Sequence, residues 1–212
     1  MRVLLASTSP ARLALLRQAG IEPLTSSPLV DEDAVAAAAE QERGSALAPD
    51  EVVLLLARAK AADVAGRVAT EDPTFDGLVV GGDSMFALGG QVYGKPYTAE
   101  EATRRWFEMR GATGVLHSGH SVIRVRPGAD PVEATAVAEA AVTFAADITD
   151  EEIAAYVASE EPLHVAGAFT VDSLGGPFIT RVDGDPSTVV GMSLSTLRRL
   201  TSELGVRWTD LW

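Results

Sequence analysis

The chain predicts an α/β fold, a mixed twisted sheet flanked by helices, with residues 1–212 forming one domain. Three observations carry this. The apolar run RVLLA at 2–6 passes at once into a helix signal, SPARLALL. A second apolar run, GLVV at 77–80, arrives only after two helical stretches. Two long alternating segments, GVLHSGHSVIRV and EATAVAEAAVTFAA, then flank the turn-rich RPGADP. Early strand–helix alternation predicts a sheet with helical crossovers, and the paired alternating segments predict antiparallel strands.

Taken in order, RVLLA is short, apolar and bounded by hydroxyls, as a buried strand is. Ser9 suits a helix N-cap with Pro10 at the first helical position, where its missing N–H costs nothing. Gly20 ends that helix. IEPLTSSPLV reads as extended, Ala34 to Arg43 as a helix, and Pro49 to about Arg67 as a second helix with apolar residues at helical spacing. GLVVGGDSMFALGGQVYGKP reads as a buried strand with a carboxylate at its end, then a glycine-turned hairpin. Thr98 with Glu101, and Thr149 with Glu152, are capping-box signatures for helices running towards Met109 and through ITDEEIAAYVAS. PFITRVDGD and VVGMSL bracket an expected loop, and Ser193 caps the last helix, down to Leu204.

The 212 residues suffice to bury a core, and 47% apolar with 22% charged residues excludes disorder. No apolar run reaches the roughly eighteen residues of a membrane span, and the N-terminus lacks the pattern of a secretory signal, so a cytoplasmic location is expected. The absence of cysteine excludes disulfides and thiolate chemistry. A formal net charge of −13, with no Lys/Arg cluster, argues against nucleic-acid partners. It does not argue against a small polyanion, because a few placed cations and a divalent metal reverse the sign within one cleft.

The P-loop, the dinucleotide-binding glycine pattern and the GxSxG elbow are all absent. His117 and His120 could share a metal in principle, but they are an odd number of residues apart on an alternating strand, hence on opposite faces, which argues against it. Four features remain. ASTSPAR brings hydroxyls, free helix N–H groups and Arg12 to one turn, which suits phosphate oxygens, although a plain capped helix has the same pattern. VDED places Asp31, Glu32 and Asp33 in a loop before a helix, where acids either answer the helix dipole or hold a hard divalent cation. ARAKA points Arg58 and Lys60 to different sides of a helix, so one can be solvated while the other reaches a cleft, although long basic side chains on a half-buried helix are commonly structural. VVGGDSMF sets Asp83 after two glycines that permit close backbone approach; such a carboxylate binds metal, takes a proton from water, or accepts turn N–H bonds. Lys95 returns from the hairpin twelve residues later.

In order, LASTSPAR, VDE, ARAKA, GGDS, GKP, AGAF and DGDPSTVVGMSL are similar to the motif series of the Maf family. Those proteins are nucleoside triphosphate pyrophosphatases first linked to septum formation. The likeness runs over nearly the whole chain. It implies a fold like that of inosine triphosphate pyrophosphatases, with a cleft between two lobes, and cleavage of a nucleoside triphosphate to monophosphate and pyrophosphate with Mg²⁺ or Mn²⁺. Carried over by motif, Asp83 matches the proton acceptor, Glu32 the acid near the metal (which Asp83 also faces), and Ser7, Arg12, Lys60 and Lys95 the triphosphate surroundings.

Some positions depart from the family pattern. SPAR stands where SPRR is frequent, GGDS where pyrimidine-type members show GADT, and Asp172 where they carry glutamine. Ala11, Ser84 and Asp172 thus occupy the positions tied to base preference; they match neither the dTTP/UTP pattern nor cleanly the 7-methyl-GTP pattern, and the acid at 172 leans to the latter. Gly114 and Val165 replace a histidine and a lysine. The resemblance therefore implies an enzyme acting on a non-standard or modified triphosphate. The alternative is a nucleotide-binding regulator of cell division with little turnover. A homodimer is compatible with either, and the apolar end WTDLW offers a third reading, a dimerisation module.

Overall fold

In the computed structural model, which describes residues 1–212, β1 (Arg2–Ala6) stops where the three hydroxyl residues interrupt its apolar run. Ser9 then caps α1 (Pro10–Gln18), its hydroxyl accepting from the Arg12 N–H. β2 (Leu24–Thr25) lies parallel to β1. α2 (Glu32–Arg43) starts two residues before Ala34, because Asp31 takes the cap position and accepts from the Ala34 N–H at 3.0 Å. Glu32 and Asp33 are therefore in the first helical turn and not in a preceding loop. α3 (Pro49–Glu71) continues past Arg67.

β3 (Gly77–Leu88) is one long strand, and Asp83 lies in its interior, not at its end. Local sequence suggested a break because two glycines precede the aspartate, yet pairing with β5 (Thr113–Arg126) holds the strand continuous from Gly77 to Ala87. β4 (Gln91–Tyr93) folds back on the end of β3. α4 (Ala99–Met109) has Thr98 at its cap; the Glu101 side chain goes to Arg104 and Arg105, so only half the expected box forms. β6 (Ala129–Phe144) pairs antiparallel with β5, and the full box of Thr149 and Glu152 starts α5 (Asp150–Ala158). Short 3₁₀ turns occupy much of 161–178, followed by β7 (Ile179–Gly184). The loop expected next holds a short helix, α6 (Pro186–Val190), because Asp185 caps it and Pro186 takes its first position. Ser193 caps α7 (Leu194–Glu203) as expected.

The sheet order is β2-β1-β3-β5-β6-β7, with β4 beside β3. β1 runs parallel to β3 and the remaining pairs of the main sheet beyond β3 are antiparallel, giving the mixed α/β fold. β3, β5 and β6 are long enough to carry two cores end to end. One joins Leu78, Val80 and Val122 to α1 and α7; the other joins Phe86, Leu116, Val142 and Phe144 to Trp106 of α4 and Tyr156 of α5. α3 covers the opposite face of the first half through Ala61, Val64 and Ala65. Between the two cores, β3 and β5 carry the polar band Asp83, Ser84 and Ser118. The C-terminal WTDLW docks Leu211 in the first core with Trp208 packed against it, and the Trp212 ring lies beside Gly20 while remaining 70% exposed.

Candidate active site

On the edge of β3 away from β5, β1 pairs as far as Gly81 and β4 begins at Phe86. Residues 82–85 have no strand beside them on that edge, so the sheet is notched where Asp83 and Ser84 sit. Ser7 leaves β1 at one side of the notch, and Lys95 follows β4 at the other. The notch thus arises from two partner strands that stop short of each other.

α3 brings the first cation. Two glycines let it lie directly on the sheet: a Cβ on Gly81 would stand 2.4 Å from the Ala57 carbonyl oxygen, and one on Gly119 would stand 2.1 Å from that of Val53. At that separation Lys60 Nζ reaches Asp83 Oδ1 at 2.7 Å and Glu32 Oε1 at 2.8 Å. The Lys60 side chain is 8% exposed, Asp83 12% and Glu32 49%, so the ammonium bridges a buried carboxylate to one at the surface. Arg58, on a different side of α3, pairs with Glu133 at the surface, which is the division expected of residues two apart.

Arg12 brings the second cation. Its Nε donates to the Gly191 carbonyl at 2.8 Å, Nη2 to Ser84 Oγ at 3.0 Å, and Nη1 to Ser7 Oγ at 3.4 Å. Ser84 Oγ also lies 2.8 Å from Ser118 Oγ and 3.2 Å from the Gly191 oxygen. Burial lowers the Arg12 pKa, opposed by the charges of Asp83 and Glu32. Burial likewise raises the Asp83 carboxyl above the ordinary aspartate range, opposed by Lys60 and Arg12. Each charge is uncomfortable alone, and the group is stable as a set.

Two bonded groups therefore flank the notch, Ser7–Arg12–Ser84 and Glu32–Lys60–Asp83, near enough that the Arg12 and Asp83 charges act on each other. Ala11 is exposed on α1 beside Arg12. Lys95 and Asp172 make no ion pair with the set, and both are exposed. The β3–β4 pairing ends with Tyr93 opposite Phe86, two residues before Lys95, so no ladder contact fixes the Lys95 ammonium at the notch. Asp172 sits in a turn fastened by Glu161, which accepts from Tyr156 Oη at 3.0 Å, Ser173 Oγ at 2.6 Å and the Gly175 N–H at 3.3 Å. Ser118, Gly191 and Asp185 were not picked out by sequence reasoning. For Asp185 the available signal was the Asp-Pro pair, a helix-start pattern.

The carboxylates of Glu32 and Asp83 already converge on one cation, the Lys60 ammonium, and supply hard oxygen donors. No group of three or more metal-ligating side chains forms anywhere in the chain. Mg²⁺ commonly takes one or two carboxylates and completes its shell with water and phosphate, so this donor pair fits such an ion. A groove of about 570 Å³ elsewhere is lined by Arg2, Arg17 and Arg67 among others. Each of these arginines is paired locally with an acid, Asp72, Glu22 and Asp63 respectively, leaving no free cation for an anion. His117 bonds Glu139 on one face of β5 while His120 accepts from the Ser193 N–H on the other, so they share nothing.

No helix is long and apolar enough to cross a membrane. Residues 2–204 match the family model described as Maf-like protein. A protein of Leifsonia xyli named nucleoside triphosphate pyrophosphatase is 60% identical over all of this chain and 97% of its own length. Relatives of the same name from Rhodococcus jostii and Nocardia farcinica are 49% and 50% identical over 98% and 99% of this chain, and 94% and 96% of theirs. Among solved structures, the Ham1 protein of Staphylococcus aureus is similar over 69% of this chain and 73% of that one, at 9% identity and a TM-score of 0.36, an overlay that carries no argument. With seven short motifs in order, a polar notch built from several of them and full-length relatives at this identity, the chain belongs to the Maf family.

Proposed function

We propose that the chain is a nucleoside triphosphate pyrophosphatase, cleaving its substrate to the nucleoside monophosphate and pyrophosphate. The observation that carries this is a buried carboxylate, Asp83, held within 2.7 Å of Lys60 and beside Arg12 in a protein of net charge −13. Fixed cations against a buried base suit a reaction in which an anionic leaving group departs. Full-length relatives with that printed name support the same reading.

Water attacks the α-phosphorus, its oxygen forms the new P–O bond, and the bond from the α-phosphorus to the oxygen bridging to the β-phosphorus breaks. Asp83 accepts the water proton. Its raised pKa makes it a better base than a solvated carboxylate, at the expense of activity under acid conditions. Arg12 and Lys60 stabilise negative charge on the departing pyrophosphate, and Lys95 adds a third cation from the far side of the notch. Glu32 and Asp83 are the residues that would hold a divalent cation, Mg²⁺ or Mn²⁺, which when bound neutralises phosphate charge. A non-standard or modified base is the finer part of the proposal, supported by Ala11, Ser84 and Asp172 departing from the pyrimidine pattern.

A panel of common and modified nucleoside triphosphates, assayed for pyrophosphate with Mg²⁺, with Mn²⁺ and with chelator, tests this. Release confined to the metal-containing reactions is expected. Tight nucleotide binding with no release from any member would overturn it in favour of a regulator.

A further inference from the structure

Arg12 is held by a corner of the chain that none of the expected site residues belongs to. Its Nε donates to the carbonyl of Gly191, which joins α6 to α7 at φ +124, a conformation that favours glycine. α6 is only five residues long and cannot fix the direction of that carbonyl by itself.

One carboxylate does fix it. Asp185 Oδ1 accepts from the N–H and Oγ of Ser187 at 2.9 and 2.6 Å. Its Oδ2 accepts from Ser193 Oγ at 2.8 Å and from the N–H and Oγ of Ser195 at 3.1 and 2.7 Å. Ser187 precedes Gly191, whereas Ser193 and Ser195 follow it, so Asp185 spans the corner and clamps both sides. An ordinary N-cap serves only its own helix. Two further ties bind the corner to β5: Ser118 Oγ donates to the Thr188 carbonyl at 3.2 Å, and His120 Nε2 accepts from the Ser193 N–H at 2.8 Å. Despite burial, which acts to raise it, the Asp185 pKa is depressed by the hydrogen bonds from Ser187, Ser195 and Ser193, as befits a carboxylate kept ionised.

We infer that Asp185 is a positioning residue for the reaction, acting through the Gly191 carbonyl to set the plane of the Arg12 guanidinium towards the phosphates. The inference rests on the pyrophosphatase reading for its kinetic consequence. An amide at 185 keeps the shape but replaces one acceptor oxygen by a donor, so one side of the corner is released. Misplacing a charged group by about 1 Å costs on the order of 100-fold in rate.

The test is a double-mutant cycle on Asp185→Asn and Arg12→Ala, with the folded fraction of each variant measured by circular dichroism. Asp185→Asn is expected to lower kcat/KM per folded molecule by roughly 10- to 100-fold, and to change it less than about 2-fold when Arg12 is already alanine. Ser187→Ala, which removes one clamp bond and the Leu194 N–H bond to the Ser187 hydroxyl, serves if Asp185→Asn does not fold, with a smaller loss that again disappears in the Arg12→Ala background. Equal losses in both backgrounds, or an unchanged kcat/KM with only the folded fraction reduced, would overturn the positioning role. Solvent exchange of the Arg12 Nε–H, followed by NMR, needs no turnover: slow exchange in the wild type and faster exchange in the clamp variant are expected, and identical exchange overturns the inference. If the wild type releases no pyrophosphate, the pyrophosphatase reading falls and the exchange measurement alone decides.

Discussion

The two walls of the notch are built on different terms. On the β1–α1–α3 side, two bonded groups flank the notch: Lys60 holds Asp83 at 2.7 Å, and Arg12 holds Ser7, Ser84 and the Gly191 carbonyl at 2.8 to 3.4 Å. On the β4–α4–α5 side, Lys95 and Asp172 are exposed and unpaired, while the backbone beneath them is firmly held. That second side rests on an aromatic core in which Phe86, Phe144 and Phe169 meet edge-on and Trp106 donates to the Ala168 carbonyl at 2.8 Å. The first wall is preorganised charge; the second is a rigid platform with free tips. A preorganised wall needs no reorganisation when charge develops, and free tips can adapt to whatever lies across the notch.

The comparison breaks most readily at Asp83. Asp83→Asn is expected to lower turnover per folded molecule by roughly 100- to 10,000-fold, the range of a lost general base, and to lower stability as well, because the buried Lys60 ammonium keeps only Glu32 as a partner. In the wild type the rate should fall on acidification, since only the ionised Asp83 accepts a proton; a rate that does not fall at low pH would contradict the assignment. Retained turnover in the asparagine variant would end the claim that this wall carries the chemistry.

Next in size is the packing that delivers Lys60. Gly81→Ala places a methyl 2.4 Å from the Ala57 carbonyl oxygen and must push α3 off the sheet. A loss of about 1–3 kcal/mol in stability by denaturant titration is expected, together with reduced turnover of the folded protein. Full activity would mean that close approach of α3 does not set the first wall.

A pH titration of stability probes the support behind that wall. His120 is pushed down to about 4, chiefly by burial, with the positive charge of Arg12 adding to it and Asp185 opposing. A lowered histidine pKa gives stability that is full above the unfolded value near 6.5 and is lost as pH falls towards 4, because the unfolded chain binds the proton first. The loss across that window is about 3 kcal/mol, and His120→Gln, which keeps an acceptor for Ser193, should flatten it in thermal melts. An unchanged slope would place the titration elsewhere.

The smallest effects belong to the second wall. The chain has only two lysines, so amine labelling with mass spectrometry compares the walls directly: Lys95 should react quickly and Lys60 slowly, with nucleotide slowing Lys95. Asp172→Ala should leave stability within about 0.5 kcal/mol while altering the ranking of triphosphate substrates. Equal labelling of both lysines would erase the distinction between the walls.

The sequence by itself determined the elements that obey local rules. The capped starts of α1, α5 and α7, the paired strands β5 and β6, and the separation of Arg58 from Lys60 were all legible, because capping, period-2 alternation and helical spacing act within a few residues. The motif order also marked the six residues that flank the notch. Tertiary structure alone decided that Asp83 lies mid-strand, where β1 and β4 each stop short, and that Lys60 is already bonded to it. It also decided that Asp185, about a hundred residues downstream, fastens the carbonyl that holds Arg12. These facts depend on which strands neighbour each other and how closely a helix lies on a sheet, and no short stretch of chain contains that distance.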